Sequence, residues 1–385
     1  MAILDLAIIG GGLSGLALAA QLSQQAPDKR LAVFEANNRL GGRILSTPLS
    51  SESPHTSESP NSRFDLGPTW IWPDDQSHIR QFAIQHQLPV FPQYQRGQAV
   101  YKSALEQPTV QFPDQQGYRG AYRIEGGVER LIEILQRQIP TTCIHLHQRL
   151  TALLNHDDRV ELVFNTPNQN ELRLQARKVV LCLPPRLVSQ QIQCEPPLDN
   201  KLKQLLDNTP TWMAGHAKAI IQYPTPFWRQ QGLSGNGFAQ YPGAMLGEIF
   251  DACNADTSQA ALGGFFALPT QLRQQYRQDL PDLIVEQLCQ LFGPQAASPD
   301  AIHIQDWFRQ DTTAVAADAN LPTSHPDYGH PWLRLDHWSN KLWFGSSETD
   351  PAFGGYLEGA LRAASRIAAE LLTDERLAEA ADRGA

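Results

Sequence analysis

The chain has 385 residues, 42% hydrophobic and 18% charged, a composition that excludes a wholly disordered or fibrous protein and leaves room for two or three domains of roughly 150 residues each. Asp and Glu number 40 against 31 Lys and Arg, a net charge of -9, so there is no basic footprint for a polyanion and nucleic acid is not an expected partner. Five widely spaced cysteines, Cys143, Cys182, Cys194, Cys253 and Cys289, include no C-x-x-C pair, which reads as reduced structural thiols of a cytoplasmic protein.

The apolar opening Ile3 to Leu22 is broken by Asp5 and by Gly10, Gly11, Gly12 and Gly15. Nothing basic precedes it, so neither a secretion signal nor a membrane anchor is expected. Leu4 to Ile9 reads as a buried strand, Ser14 to Gln24 as a helix and Leu31 to Phe34 as a second strand, together a βαβ opening with parallel strands. Ser46 to Ser62, rich in Ser and Pro, has too little apolar surface to order itself and reads as an exposed loop. Helical periodicity returns over Ile79 to His86, and short strands and loops are expected from Gln93 to Tyr122. A helix follows over Gly127 to Ile139. Ile144 to Leu154, Arg159 to Phe164 and Leu172 to Leu174 read as a meander, and Lys178 to Leu183 as a separate buried strand stopped by Pro184 and Pro185. Beyond it, helices are predicted over Asp199 to Asp207 and Pro281 to Phe292. Strands are predicted over Ala217 to Gln222, Gly263 to Ala267 and Leu342 to Phe344, before a long helix from Gly355 to Leu372. The two ends look like pieces of a nucleotide fold, with a more irregular module between them.

The segment GGGLSG supplies G-x-G-x-x-G through Gly10, Gly12 and Gly15, directly after a strand and opening a helix, with Glu35 twenty residues beyond Gly15. Glycines permit the tight turn and the close approach of backbone to a pyrophosphate, the helix N-terminus offers unpaired N–H groups, and the acid can accept from ribose hydroxyls. Alone, the pattern serves NAD or FAD. The continuation FEANNRLGGR points to FAD, because it runs from Glu35 into a second glycine turn and a cation, Gly41, Gly42 and Arg43.

The chain resembles the flavin-containing amine oxidase family, the monoamine oxidases and their bacterial relatives, in GGGLSGL, FEANNRLGGR, DLGPTW, VVLCLPP and LWFGSSETDPAFGGYLEGALRAASRIA. The resemblance implies an α/β protein with a two-domain FAD-dependent amine oxidase fold. A Rossmann-like FAD-binding domain would be built from residues 1–72, 128–207 and 311–385, with an interleaved α+β substrate domain from 73–127 and 208–310. It implies FAD contacts at Gly10, Gly12, Leu13, Ser14, Gly15, Glu35, Ala36, Gly41, Gly42 and Arg43. Further contacts are implied at Gly67, Pro68, Thr69, Trp70, Leu150, Trp307, Ser347, Glu348, Gly355, Tyr356, Leu357 and Ala360. The helix opening at Gly355 would aim its positive end at the N1 edge of the flavin, where the reduced ring gains negative charge.

Lys218 stands before Pro226, Phe227 and Trp228 as the family's lysine does, and the resemblance makes it a catalytic side chain that fixes a water near flavin N5 and helps deprotonate the substrate. Tyr356 matches one of two rings that frame the substrate nitrogen. The second would fall at Ala316 or Ala317, where no aromatic stands, and AVAAD also lacks the cysteine that bonds flavin in mitochondrial members. FAD is therefore expected to be non-covalent, in a pocket lined by Trp70, Trp72, Trp212, Ala317, Phe353 and Tyr356.

In FGSSET, Ser346 replaces the family's usual glycine; its hydroxyl can bond a phosphate or ribitol, or it is a tolerated surface serine. Glu348 beside a pyrophosphate would need Arg43 or backbone donors to offset repulsion. The histidines form neither H-x-x-x-H nor H-E-x-x-H, and no metal site is expected. The implied reaction is oxidation of an amine C–N bond to an imine, with oxygen reduced to hydrogen peroxide. Alternatives on the same fold are an amino-acid oxidase, a desaturase or porphyrinogen oxidase, another dehydrogenase on a non-amine substrate, or a flavin-binding redox protein without turnover.

Overall fold

The hydrophobic run Leu4–Ile9 forms a strand flanked on both sides by parallel partners, Leu31–Phe34 on one edge and the second half of Glu171–Leu181 on the other. A strand covered on both edges and both faces needs a continuous apolar sequence, and Leu6 to Ile9 supplies one, while Leu4 and Asp5 at its start are half-buried. The computed structural model describes residues 3–47, 63–115, 117–168, 170–319 and 324–384. The chain divides into two compact units, one of Met1–Arg43, Leu131–Ala214 and Gln310–Ala385, the other of Ile44–Arg130 and Gly215–Arg309.

The first unit carries an eight-stranded mixed sheet. Its order is Gln193–Glu195, Arg149–Asn155, Val160–Asn165, Glu171–Leu181, Leu4–Ile9, Leu31–Phe34 and Ile144–His145, with Leu342–Phe344 also paired to Glu171–Leu181. The helices Leu13–Gln25 and Leu357–Gly384 pack against each other in this unit. The core under the meander gathers Phe34, Leu150, Leu153, Phe164 and Val179, and the Phe34 and Phe164 rings lie 4.7 Å apart.

The second unit is organised by a seven-stranded sheet in the order Ala301–Asp306, Ala217–Tyr223, Ala260–Phe266, Leu246–Asp251, Leu233–Ala239, Gln98–Lys102, Val110–Pro113. Ala217–Tyr223 is buried along its whole length between two antiparallel neighbours, which places Lys218 opposite Phe265 on one side and Gln305 on the other. Two short antiparallel ladders, Ser46–Thr47 with Phe64–Asp65 and Val90–Pro92 with Tyr122–Ile124, complete the unit.

Several expectations are corrected. Leu172–Leu174 and the expected strand from Lys178, which ends at Leu181 rather than Leu183, are parts of one strand, Glu171–Leu181, antiparallel to Val160–Asn165 where it begins and parallel to Leu4–Ile9 where it ends. Sequence periodicity misses this because the strand passes from a half-exposed hairpin into a fully buried parallel position. Ser46 and Thr47, read as loop, are buried strand residues; the rest of that segment, 48–62, lies outside the described residues. The first unit boundary falls at Arg43 and Ile44, not at residue 72, because Leu45, Phe64, Leu66, Trp70 and Trp72 pack with Tyr118, Ile220 and Phe250. The strands Leu233–Ala239 and Leu246–Asp251 carry no clear alternation, Ala301–Asp306 alternates only over Ile302 to Gln305, and none of the three is among the expected strands. The last helix begins at Leu357 rather than Gly355 and runs to Gly384.

Phe164 is fully enclosed, so Phe164→Ala is expected to destabilise the first unit by about 3–5 kcal/mol. Urea titration monitored by circular dichroism checks this, and an unchanged midpoint would remove Phe164 from the load on that sheet.

Candidate active site

In the first unit, Gly10 has φ +106°, and a Cβ there would lie 2.7 Å from the Cys182 carbonyl oxygen. A side chain on Gly15 would collide with the carbonyl oxygen of Gly10, whereas one on Gly12 would meet nothing within 4 Å. The turn is thus closed on its protein side and open over the start of the helix Leu13–Gln25. That helix has Gly12 as N-cap with no side-chain cap, and its first turn carries no acid. Uncapped N–H groups with the positive end of the helix dipole behind them form a ready anion site.

Glu35 ends the second strand and is 6% exposed. Its Oε2 accepts from the Gly11 N–H at 2.8 Å, and its Oε1 accepts from the backbone and side-chain amides of Asn37 at 2.8 and 3.0 Å. A carboxylate has about four acceptor positions, so one remains for a further donor. Ala36 follows it. Gly41 bridges to Gly12 and donates its N–H to the Gly11 carbonyl at 2.8 Å, and Gly42 sits at φ +57°.

Arg43 does not stand as a loose cation. Its guanidinium donates to Glu348 Oε1 at 2.8 Å, to the Trp212 carbonyl at 3.0 Å and to Ser347 Oγ at 3.4 Å. Glu348, fully buried, is thereby neutralised, and Ser347 Oγ also donates to it at 2.9 Å. Ser14 donates its hydroxyl to the Gly345 carbonyl. Ser346 is 4% exposed, which removes the reading of a surface serine, and its Oγ has no hydrogen-bond partner among the described residues. A buried hydroxyl left unpaired costs about 1–3 kcal/mol, and a bound polar ligand would recover it. Leu150 lies in the sheet core.

Tyr356 precedes the helix Leu357–Gly384 and accepts the Ala360 N–H at 3.2 Å through its carbonyl. Its ring is 37% exposed and stacks on His325, centroids 5.0 Å apart and planes 10° from parallel. Trp212 covers His325 at 4.5 Å, and His325 Nε2 donates to the Gly354 carbonyl at 3.0 Å. Gly355, at φ +81°, leaves the room that Trp212 fills. Phe353 lies under the Arg362 guanidinium. Ala317 is exposed on the short 3-10 turn Ala316–Ala319, which Asp318 anchors through Arg186 at 2.6 Å. His325 was missed by sequence reasoning. Nothing in TSHPDYGHP is periodic, and only the chain's return beside Gly354 makes it an aromatic neighbour of Tyr356.

In the second unit, Lys218 is 2% exposed. Its Nζ donates to the Gly67 carbonyl at 2.9 Å and to the Thr69 hydroxyl, so the described residues use two of its three donor positions. Pro68 sits between those two acceptors. The Trp70, Phe250 and Phe265 rings surround the Nζ at 5.9, 5.2 and 5.5 Å. Burial pulls the Lys218 ammonium down to about 7, against the support of Asp65, with Arg123 adding to the fall. Cation–π attraction of ~0.5–2 kcal/mol favours the charge; the shift from 10.5 to about 7 corresponds to about 5 kcal/mol the other way. Desolvation wins.

Trp70 is oriented by its Nε1–H to Gln93 Oε1 at 2.8 Å, and Gln93 in turn donates to the Asp251 carbonyl at 2.7 Å. Trp307 donates its Nε1–H to the Leu66 carbonyl at 3.0 Å, bracing the segment that holds Lys218, and Trp72 receives Gln76 Oε1 on its backbone N–H at 3.0 Å. The expected site residues are therefore divided. The glycine turns, Glu35, Arg43, Ser347, Glu348, Trp212, Phe353 and Tyr356 belong to the first unit, and Gly67 to Trp72, Lys218 and Trp307 to the second.

A sequence profile described as flavin containing amine oxidoreductase matches residues 109–372, and one for an NAD(P)-binding Rossmann-like domain matches residues 8–85. The chain belongs to the flavin containing amine oxidoreductase family. It is 28% identical over 271 residues to putrescine oxidase of Kocuria rosea, covering 65% of this chain and 52% of that protein. It is also 28% identical over 261 residues to a putative flavin-containing monoamine oxidase, AofH, of Mycobacterium tuberculosis H37Rv, again 65% of this chain and 52% of that protein. The chain spans about half the length of these curated relatives.

Among solved structures, cyclohexylamine oxidase from Brevibacterium oxydans IH-35A aligns with a TM-score of 0.78 at 19% identity, covering 97% of this chain and all of that one, 100%. Putrescine oxidase bound to putrescine aligns with a TM-score of 0.75 at 18% identity, covering 97% and 99%. The fold is that of these oxidases. The cofactor of this family member is FAD, and the residues present fit it: an uncapped helix N-terminus under an open glycine turn, a ribose-type acid with acceptor capacity left, and an unpaired buried hydroxyl at Ser346.

The lowered Lys218 ionisation has a stability consequence. The folded state prefers the neutral amine, so the unfolded chain binds more protons between about 7 and 10.5, and folded stability gains across that window as pH rises. Lys218→Met is expected to remove the gain, so that it raises the melting temperature relative to the parent at pH 7 and loses that advantage towards pH 10. Melting curves of both proteins across that range check this; parallel pH profiles would show that Lys218 is charged in the fold.

Proposed function

We propose that the protein oxidises the C–N bond of a small amine to an imine, with oxygen as the electron acceptor, and that it works in the cytoplasm. The observation that carries this reading is a lysine buried among three aromatic rings, with its ammonium destabilised, in a chain of the flavin containing amine oxidoreductase family. The five free cysteines support a reducing compartment, and among the described residues no helix is long and apolar enough to cross a membrane.

In this reading the first unit holds FAD. The N–H groups opening Leu13–Gln25 take the pyrophosphate, with Gly10, Gly12, Leu13, Ser14 and Gly15 forming the turn; Glu35 and Ala36 take the adenosine ribose, and Gly41, Gly42 and Arg43 form the second wall. Ser346, Ser347 and Glu348 serve the pyrophosphate side, and Gly355, Tyr356, Leu357 and Ala360 the ring. Non-covalent attachment is supported by Ala316 and Ala317 in the turn where a cysteine would be needed. When bound, FAD supplies the two-electron acceptor for a hydride equivalent from the carbon beside nitrogen and passes the electrons to oxygen, giving hydrogen peroxide.

The chain's own part is protonic and steric. A protonated amine has no lone pair to support loss of hydride, so the substrate must bind neutral or lose a proton on arrival. Lys218 Nζ, whose ammonium burial pulls down to about 7, stands in part as the free amine near neutral pH and can take that proton or hold a water that does. In the second unit, the Trp70, Phe250 and Phe265 rings around Lys218 favour a neutral amine by desolvation. Tyr356, backed by His325, presents a rigid ring face. The paired stack in place of a facing ring at Ala317 supports an amine of different shape from a simple arylalkylamine.

Anaerobic addition of an amine panel to the purified protein is expected to bleach the oxidised flavin spectrum with at least one member, and Lys218→Met to slow that bleaching about 10- to 100-fold while retaining FAD. A spectrum unmoved by every amine would overturn the reading. Acid precipitation is expected to leave all flavin in the supernatant; colour in the pellet would overturn non-covalent attachment.

A further inference from the structure

The Lys218 amine meets two hydrogen-bond partners among the described residues, and both come from one segment. The Gly67 carbonyl accepts from Nζ at 2.9 Å, and the Thr69 hydroxyl, in a residue only 3% exposed, accepts from it as well. The Trp70, Phe250 and Phe265 ring centroids stand 5.2 to 5.9 Å from Nζ, outside hydrogen-bonding range.

Both ends of this arrangement are held. Lys218 springs from a strand paired on both edges, opposite Phe265 and Gln305. On the acceptor side, the Leu66 and Gly67 N–H groups donate to the Leu45 carbonyl at 2.8 and 3.2 Å, and the Leu66 carbonyl accepts from Trp307 Nε1 at 3.0 Å. Pro68 has a fixed φ between the two acceptors, Thr69 is β-branched and stiff about χ1, and Trp70 is tied to Gln93 at 2.8 Å. The carbonyl and the hydroxyl therefore reach Nζ from fixed directions.

A lysine nitrogen has three positions beyond its carbon stem. The ammonium fills them with three N–H groups; the free amine has two N–H groups and a lone pair. A backbone carbonyl can only accept. With Thr69 accepting too, both N–H groups of the free amine are taken and the lone pair is left in the third position. A proton is then gained or lost there without rearrangement of either hydrogen bond.

We propose that Thr69 is a positioning residue for Lys218: its hydroxyl and the Gly67 carbonyl hold the two N–H groups of the free amine, so that the lone pair keeps one direction. A proton released by the substrate ammonium bonds to Nζ in that position, and its electron pair stays on the substrate nitrogen. The inference rests on Lys218 being the proton acceptor of the proposed oxidation. It gives the Thr69 hydroxyl to the lysine in place of the expected FAD contact, and it carries a sign. An acceptor bonds an ammonium more strongly than a neutral amine, so loss of the hydroxyl moves the Lys218 ionisation to lower pH by about one unit. A hydroxyl that donated to the lone pair would have the opposite effect.

The test is anaerobic flavin reduction by a bleaching amine, followed by stopped flow from about pH 5.5 to 10 in the FAD-loaded parent, Thr69→Val, Thr69→Ser and Lys218→Met. Valine keeps the volume and branching of Thr69 without its hydroxyl, and serine keeps the hydroxyl. The expected result is an ionisation near pH 7 in the parent that vanishes in Lys218→Met. In Thr69→Val it moves down by about one unit and the plateau rate falls about 10-fold; in Thr69→Ser both return towards the parent. FAD stays bound throughout. A midpoint unmoved or raised in Thr69→Val overturns the inference and leaves the role of Lys218 standing; an ionisation that persists in Lys218→Met overturns that role and the inference with it. Loss of flavin on Thr69→Val also overturns the inference, since the hydroxyl would then belong to the cofactor. If Thr69→Val fails to fold, Thr69→Ala is read in the same way. If no amine bleaches the flavin, the proposed reaction falls, and melting curves over the same pH range still decide on Thr69. The pH-dependent gain in melting temperature is expected to begin at lower pH in Thr69→Val than in the parent, and an unmoved onset overturns the inference.

Discussion

The parallel pairing of Leu4–Ile9 with the end of Glu171–Leu181 is the constraint on which the first unit depends. It joins stretches of chain separated by more than a hundred residues, and Leu342–Phe344 adds a third stretch to the same strand. Because Glu171–Leu181 is antiparallel to Val160–Asn165 at its start, one strand links a local hairpin to a non-local parallel sheet. The glycine turn after Leu4–Ile9 and the FGSSET segment after Leu342–Phe344 emerge from neighbouring positions on that strand. Ser14 donating to the Gly345 carbonyl is the direct consequence. Ligands of open α/β sheets bind at such strand ends because backbone N–H groups and helix starts converge there.

The second unit solves a different problem, holding a charge donor in an apolar interior. An unpaired ammonium there is costly, and the unit meets the cost with carbonyl and hydroxyl acceptors from a single segment, Gly67 to Thr69, and with aromatic faces. Trp307 and Gln93 do not touch Lys218. They hold the Leu66 carbonyl and the Trp70 indole in place, and so limit how the segment and the ring can relax around the amine.

The chain spans about half of its curated relatives by sequence, while solved amine oxidases align over almost all of it. Specificity within such a fold belongs to local departures. Trp212 and His325 stack behind Tyr356 and fix its ring on one side. Arg43 and Glu348 neutralise each other, so the Arg43 guanidinium does not stand as a free cation.

The sequence by itself determined the βαβ opening, the glycine turn with Glu35, the family and the identity of Lys218, because each is written in a local pattern: an apolar run into glycines, a fixed spacing to an acid, a lysine ahead of Pro-Phe-Trp. It also located Leu342–Phe344 and the start of the long final helix to within two residues. Tertiary structure alone decided the rest. The union of two predicted strands in Glu171–Leu181, the assignment of residues 44–72 to the second unit, the stacking of His325 on Tyr356 and the seating of Lys218 on the Gly67 carbonyl and the Thr69 hydroxyl all depend on contacts between distant parts of the chain. Local pattern reports which residues want to be buried; it does not report which other buried residues they will face, and the charge of a buried amine is set by those neighbours.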